Sequence, residues 1–99
     1  MSKVMGKQPS MALYETILKL KDLDECYRFF EDLCTISELR AMEQRFDVAV
    51  LLEKGMIYND ILEKTGASSA TISRVNRSLN YGGVGGYKAV FARGLPESK

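Results

Sequence analysis

The chain has 99 residues, of which 45% are hydrophobic and 27% charged, and its net charge is +1. This length and composition are typical of one globular domain and argue against a chain that is disordered throughout. No apolar run is long enough for a transmembrane helix, and residues 1–10 lack the apolar stretch of a signal peptide. We therefore expect a cytoplasmic protein that has no membrane partner.

The residues that most often hold metals or carry out catalysis are scarce. The chain has no histidine, and Cys26 and Cys34 lie in one predicted helix. Their separation along that helix is about 12 Å at 1.5 Å per residue, which is too far for a disulfide. There is also no Cys-x-x-Cys pair for zinc. We expect no metal, no cofactor and no catalytic residue, so the protein is not predicted to be an enzyme.

The small net charge conceals an asymmetry along the chain. Residues 1–63 contain 8 Lys and Arg against 12 Asp and Glu (net −4), whereas residues 64–96 contain 5 Lys and Arg and no acid (net +5). A purely cationic segment is typical of a surface that binds a polyanion. A short glycine-rich tail with few acids would give the same count, so charge alone leaves both interpretations open.

Residues 1–9 are predicted to form a flexible leader, because their glycine and proline interrupt any apolar repeat. A first helix is predicted from the N-cap Ser10 to about Lys21, where the apolar residues keep helical spacing. A second helix is predicted to begin at an Asp22–Glu25 capping arrangement. Its apolar residues form one stripe: Leu23, Cys26, Tyr27, Phe30, Leu33 and Cys34.

A third helix is predicted from a Thr35–Glu38 capping box to Gly55, whose backbone can adopt the left-handed conformation that ends a helix. Its last part, residues 48–52, is apolar on every side and must therefore be buried on every side. In so short a chain, this favours a helix that is shared with a second copy. A helix at the centre of a monomeric bundle is the alternative.

Two short helices with a tight turn between them are predicted from Tyr58 to Leu79. Gly66 can adopt the positive φ that the turn requires, and Ser68 or Ser69 can cap the second helix. Within that helix, the residues predicted to point inward are spaced i, i+3 and i+7: Ile72, Val75 and Leu79. This pattern predicts a helix-turn-helix.

The exposed face of the second helix has the composition of a surface that reads DNA. It carries hydroxyl groups near its start, then two arginines, and no acid; small polar groups approach base edges closely, and arginine binds guanine or phosphate. The predicted DNA contacts are Ser68, Ser69, Thr71, Ser73, Arg74, Arg77 and Asn80, with Lys64 and Lys88 at the periphery. A hairpin used only for packing, or one that docks another protein, is the alternative.

Residues 81–99 are predicted to form a glycine-rich C-terminal arm. The four glycines among residues 82–86 argue against a stable helix there and indicate a hinge or a mobile connection. No Lys-Ser or Lys-Thr pair follows them, which excludes a P-loop. The predicted organisation is a leader (1–9), a helical dimerisation and DNA-binding domain (10–80) and this arm.

Two stretches, TISELRAMEQRFDVAVLLEKG and TGASSATISRVNRSLNYG, resemble the bacterial Trp repressor superfamily, in particular its Trp-repressor-related YerC/YecD branch. They cover just under half of the chain, and the second is the more specific. The resemblance implies an all-α, intertwined homodimer whose two helix-turn-helix units enter successive major grooves of double-stranded DNA, about 34 Å apart. It thus implies a transcriptional regulator, acting as a repressor. The glycine-rich tail departs from the family's final helix.

The resemblance also implies a place for a small-molecule effector. In the family, the corepressor indole lies between two arginines whose positions match Arg45 and Arg74, and Thr35 and Ser78 match residues near the ligand. The residue after the second arginine is glycine in the members that bind tryptophan, and it is Val75 here. A branched side chain would occupy the space that the indole needs. Tryptophan is therefore not the expected effector, and the identity of any effector is left open.

Overall fold

The computed structural model describes residues 8–97, and every regular element in that range is an α-helix. This confirms the predicted all-α fold class. In chain order, the helices are α1 (Met11–Ile17), α2 (Leu23–Leu33), α3 (Ile36–Glu53), α4 (Tyr58–Thr65), α5 (Ser69–Asn80) and α6 (Gly86–Phe91). None of these helices is both long and apolar enough to cross a membrane. Nearly all of the predicted leader lies outside the described residues.

The chain divides into two compact units, residues 1–36 and residues 37–99. In the first unit, α1 ends at Ile17 rather than near Lys21, because the next residues close a tighter turn in which Leu20 N–H donates to Ile17 O at 3.1 Å. The predicted cap of α2 is confirmed, since the Asp22 side chain accepts from Glu25 N–H at 2.9 Å. Neither α1 nor α2 contains a buried residue.

The end of α3 is fixed by Gly55, as the sequence predicts. Gly55 has φ +90°, and Met56 N–H donates to Leu51 O at 3.0 Å across it. This six-to-one bond satisfies a carbonyl that the helix end would otherwise leave without a partner. The backbone conformation at Gly55 therefore sets the direction in which the chain enters α4.

The core of the second unit lies where α3, α4 and α5 meet, with α6 against it. Its buried side chains are Val48, Ala49, Val50, Leu51, Ile61, Ala67, Ile72, Val75, Leu79 and Phe91. The apolar end of α3 is thus buried by helices of the same chain. The inference that residues 48–52 call for a second copy is corrected, because their own chain already removes residues 48–51 from solvent.

The predicted C-terminal arm contains a helix, α6, which the glycine content had argued against. Its N-cap, Gly85, adopts φ +90°, and the helix then runs for only six residues. Phe91 is buried, with its ring 6.0 Å from that of Phe46 and 5.9 Å from that of Tyr87. Packing of an apolar side chain therefore stabilises a helix that local propensity does not favour.

Between α5 and α6, the chain makes a close backbone contact at Gly83. The N–H groups of Tyr81 and Gly82 both donate to Arg77 O at 2.8 Å, which ends α5. A Cβ atom on Gly83 would lie 1.9 Å from Ser78 O. Only glycine fits there without a shift of the backbone.

Candidate nucleic-acid interface

The turn between α4 and α5 has the geometry that the sequence predicts. Gly66 adopts φ +74°, and its N–H donates to Leu62 O at 2.9 Å. The Thr65 hydroxyl donates to Ile61 O at 2.7 Å and accepts from Ala67 N–H at 3.1 Å. These bonds satisfy the backbone groups at the end of α4 and hold the turn in one conformation.

Ser68 is the N-cap of α5, which decides between the two serines that the sequence left open. Its hydroxyl oxygen accepts from Thr71 N–H at 3.1 Å, and its O–H group donates to Thr71 Oγ1 at the same distance. Such a cap satisfies one of the free N–H groups at the helix start. Ser69 is the first residue of the helix and is exposed.

The inward and outward faces of α5 are those predicted. Ile72, Val75 and Leu79 are buried in the core. The predicted contact residues of this helix are exposed, except Thr71, which is partly buried: Ser69, Thr71, Ser73, Arg74, Arg77 and Asn80. The Asn80 amide donates to Asn76 Oδ1 at 2.7 Å, so its side chain is already oriented along the helix.

The two arginines of α5 lie on different parts of this surface. Arg74 faces α3 across a cleft of about 310 Å³, whereas Arg77 does not contribute to it. The cleft is lined by Ala41, Gln44, Arg45, Ala70, Thr71 and Arg74. The structure therefore brings together the arginines that the resemblance assigns to an effector. Val75 and Ser78 lie outside the walls of this cleft, and Val75 is in the core with 2% of its surface exposed.

The two predicted peripheral lysines lie away from this cleft. Lys88 Nζ donates to Glu53 Oε1 at 2.9 Å, so it joins α6 to the end of α3. Lys64 borders a second cleft, of about 430 Å³, together with Asp47 and Glu97. The Glu53 carboxylate reduces the positive potential that Lys88 would present to DNA.

The arginines of α5 and of the adjoining cleft differ from Lys88, because they form no ion pair within the described residues. In the described part of the chain, ion pairs join Arg28 to Asp24, Arg40 to Glu43 and Lys88 to Glu53. Within residues 8–97, no carboxylate pairs with Arg45, Arg74 or Arg77. Their charges therefore remain available to an anionic partner.

Two residues at this surface and the cleft beside it were not predicted from the sequence. Tyr81 is 79% exposed and continues the helical spacing of Ala70, Arg74 and Arg77, at i, i+4, i+7 and i+11. Its place along this stripe could have been found from that spacing. Gln44 lies in the cleft wall, and its amide donates to Thr65 O at 3.2 Å, which joins α3 to the turn. No local pattern predicts that contact between residues 21 positions apart.

The family model described as "Trp repressor protein" matches residues 9–95 of the chain. The chain belongs to the Trp repressor family. This confirms the resemblance seen on two stretches and extends it over most of the chain, the predicted arm included. The Trp repressor family is one of DNA-binding regulators rather than enzymes.

Relatives and solved structures agree with this assignment. The chain is 56% identical over 80 residues to the uncharacterised protein YerC of Bacillus subtilis (strain 168), covering 81% of this chain and 76% of that protein. A TrpR-like protein from Eubacterium eligens ATCC 27750 is 58% identical with a TM-score of 0.81, covering 88% of this chain and 91% of the other. A Staphylococcus aureus protein described as a candidate Trp repressor is 39% identical with a TM-score of 0.83, covering 98% of this chain and 100% of the other.

Proposed function

We propose that the protein is a homodimeric transcriptional regulator that binds a specific DNA sequence through α4 and α5 and acts as a repressor. The observation that carries the proposal is the outward face of α5. It is acid-free, it includes two arginines that pair with no carboxylate of residues 8–97, and a hydrogen-bonded cap and turn hold its first turn. A rigid cationic helix of this kind fits the major groove, which is about 12 Å wide.

The side chains of this face divide between two kinds of contact. Ser69, Ser73 and Arg77 are proposed to face base edges, where arginine can donate two hydrogen bonds to guanine. Ser68, Thr71 and Asn80 are proposed to contact the sugar-phosphate backbone, which fixes the register of the helix. Lys64 and Lys88 are kept as peripheral phosphate contacts, of which Lys88 is weakened by its pair with Glu53.

The proposed dimer is supported by the apolar surface of residues 8–36. Leu18 and Leu23 each expose 85% of their surface. Further large apolar side chains of this part of the chain are also exposed: Met11, Tyr14, Tyr27, Leu33 and Ile36. A soluble monomer rarely exposes so many in one short segment, and a second copy that covered them would also present two α5 helices to DNA.

Tryptophan is not proposed as the effector. The cleft at Arg45 and Arg74 is completed by Gln44, Thr71 and two alanines, and no aromatic or large aliphatic residue lines it. A flat aromatic ligand is usually held by a predominantly apolar pocket. The proposed regulator therefore does not depend on tryptophan to bind its operator.

The first test is the selection of bound sites from a random DNA pool by the full-length protein. Enrichment of a near-palindrome with half-sites about 34 Å apart would support sequence-specific binding by a dimer. Enrichment of no sequence would contradict it. The transcriptional output would then be measured with the selected site inserted into the promoter of a reporter gene, where repression is expected.

The second test measures operator affinity by fluorescence anisotropy after the change Arg77→Ala. We expect a loss of about thirtyfold or more, because a homodimer would lose two arginine-to-guanine pairs and each contributes about 1–3 kcal/mol of discrimination. Arg28→Ala is the matched control: it removes the same charge from an exposed ion pair in α2 and should leave affinity unchanged. Equal affinity of wild type and Arg77→Ala would exclude this face as the DNA-reading surface.

A further inference from the structure

Tyr81, which follows the last residue of α5, is an exposed tyrosine whose side chain has no partner within residues 8–97. It exposes 79% of its surface. In this described range its hydroxyl forms no hydrogen bond, and its ring packs on no other ring. Tyrosine is enriched at interfaces because it offers an apolar ring and a polar tip together. Both parts of this side chain are therefore available to a partner.

The side chain of Tyr81 lies on the same face of α5 as the proposed DNA contacts. Tyr81 N–H donates to Arg77 O at 2.8 Å, so the residue keeps its helical position. At about 100° per residue, Ala70, Arg74, Arg77 and Tyr81 lie within about 60° of one another around the helix axis. A ligand that contacts Arg77 along this face therefore meets Tyr81 one turn later.

The length of α5 decides which part of the DNA Tyr81 can reach. From Ser69 to Tyr81 the helix rises about 18 Å at 1.5 Å per residue. The major groove is only about 12 Å wide. When the first turn of α5 lies at the base edges, as proposed, Tyr81 lies beyond them, beside the sugar-phosphate backbone that borders the groove. A tyrosine hydroxyl is among the usual donors to a DNA phosphate.

The connection between α5 and α6 leaves room for a DNA strand at this position. Residues 82–86 are four glycines and one valine, all exposed, and no acid occurs in residues 64–96. Glycine allows another backbone to approach closely. The connection is nevertheless held at both ends, because Gly83 lies against the backbone of Ser78 and the buried Phe91 anchors α6. The tyrosine is thus presented from an ordered segment that contains no carboxylate to repel a phosphate.

We infer that Tyr81 is a further DNA-contacting residue, whose hydroxyl donates a hydrogen bond to a backbone phosphate at the edge of the major groove. The inference rests on the proposed DNA-binding function, because it requires α5 to lie in that groove. It extends the contact surface beyond the predicted residues of α5, towards the connection to α6. The contact fixes position rather than sequence, since a phosphate carries no sequence information.

The first experiment uses Tyr81→Phe, which removes the hydroxyl and keeps the ring. Affinity of the full-length protein is measured by fluorescence anisotropy on the selected operator and on unrelated DNA, over a range of salt concentrations. We expect a loss of about tenfold on both, because a homodimer loses two hydrogen bonds to charged groups. The slope of log affinity against log salt should stay unchanged, since a neutral hydroxyl displaces no counterion. A loss confined to the operator would show that Tyr81 reads a base, and would overturn the phosphate contact.

Tyr14→Phe is the matched control, because it removes the same group from an exposed tyrosine of α1. It should leave affinity unchanged, and thermal unfolding of both variants checks that the fold is kept. If Tyr81→Phe binds as tightly as Tyr14→Phe while Arg77→Ala loses affinity, the proposed function stands and this inference is wrong. If the wild type binds no DNA at low salt, both fail.

The second experiment tests whether a DNA strand passes the connection after Tyr81. Gly82 can carry a side chain without strain, because a Cβ there meets no atom within 4 Å and its φ is not positive. Gly82→Lys should raise affinity about fivefold to tenfold and steepen the salt slope by about 0.9 for each phosphate contact added. Gly82→Asp should lower affinity by a similar factor, and Gly82→Asn is its neutral control. Equal affinity of all three variants would show that no phosphate lies beside this connection, and would overturn the inference.

The third experiment locates the phosphate. A series of operator duplexes is prepared in which a single linkage per half-site is a neutral methylphosphonate. At one linkage the wild type should lose about tenfold in affinity and Tyr81→Phe distinctly less, because its hydrogen bond to that phosphate is already absent. If the two proteins respond alike at every linkage, Tyr81 contacts no phosphate.

Discussion

Residues 37–97 contain a core of buried apolar side chains, whereas residues 8–36 contain no fully buried side chain. The second unit has a core in which Ile61 and Ile72 have no exposed surface, and it contains the helix-turn-helix. The first unit has two helices with well-formed apolar positions and no buried residue. One part of this chain thus has a core of its own beneath the proposed DNA-binding surface, while the other has the exposed apolar surface on which the proposed dimer rests.

The largest effect should come from the core beneath the binding surface. Ile72→Ala removes a fully buried side chain from α5 and is expected to lower the free energy of unfolding by about 3–4 kcal/mol, through lost burial and a new cavity. Urea unfolding measures the change. Ser73→Ala, the next residue and an exposed one, is the control and should change stability by less than about 0.5 kcal/mol. A small loss for Ile72→Ala would mean that this unit does not depend on its core.

The second-largest effect should come from the exposed apolar side chains of residues 8–36. In the double variant Leu23→Asp with Leu33→Lys, each new charge lies at the end of α2 that the helix dipole favours, and the net charge is unchanged. If a second copy covers these leucines, the dimer dissociation constant should rise by about a hundredfold or more, since burial of each contributes about 1.5 kcal/mol or more.

Sedimentation equilibrium over a range of protein concentrations measures this association. Asp32→Ala, an exposed change on the polar side of the same helix, should leave it unaffected. A wild-type protein that is monomeric throughout, or a double variant that associates as tightly as the wild type, would contradict the proposed dimer and leave the exposed leucines without an explanation.

The smallest effect should come from Gly83, in the connection between α5 and α6. Gly83→Ala should lower stability by about 2 kcal/mol, because its Cβ would overlap Ser78 O and the backbone would have to move. Gly82→Ala is a close control, since a Cβ there meets no atom within 4 Å and the residue does not have a positive φ. Thermal unfolding compares the two. Equal stability of the two variants would show that the end of α5 moves freely.

Much of the local structure around the proposed binding surface could be predicted because its signals are local. The spacing of Ile72, Val75 and Leu79, and the special requirements of Gly55 and Gly66, each depend on a few neighbouring residues. The same is true of the Asp22 cap. Hydrogen bonds and turns within about five residues leave a pattern that the sequence displays directly.

The remaining features depend on residues that are distant in the chain. Helix α6 forms because Phe91 packs beside Phe46, and glycine content conveys nothing about that contact. Lys88 pairs with Glu53 across 35 positions, which no local spacing predicts. The cleft likewise needs the relative placement of α3 and α5, so its two arginines could be matched only through the resemblance.

Helix α5 is linked to α3 indirectly, through the segments that precede and follow it. At its start, the turn accepts a hydrogen bond from Gln44, and beyond its end α6 is held by the Glu53–Lys88 pair. We therefore expect the helix to be ordered in the absence of DNA, so that binding does not include its folding. Association should accordingly lose little conformational entropy, and its heat-capacity change should reflect the surface covered rather than helix formation.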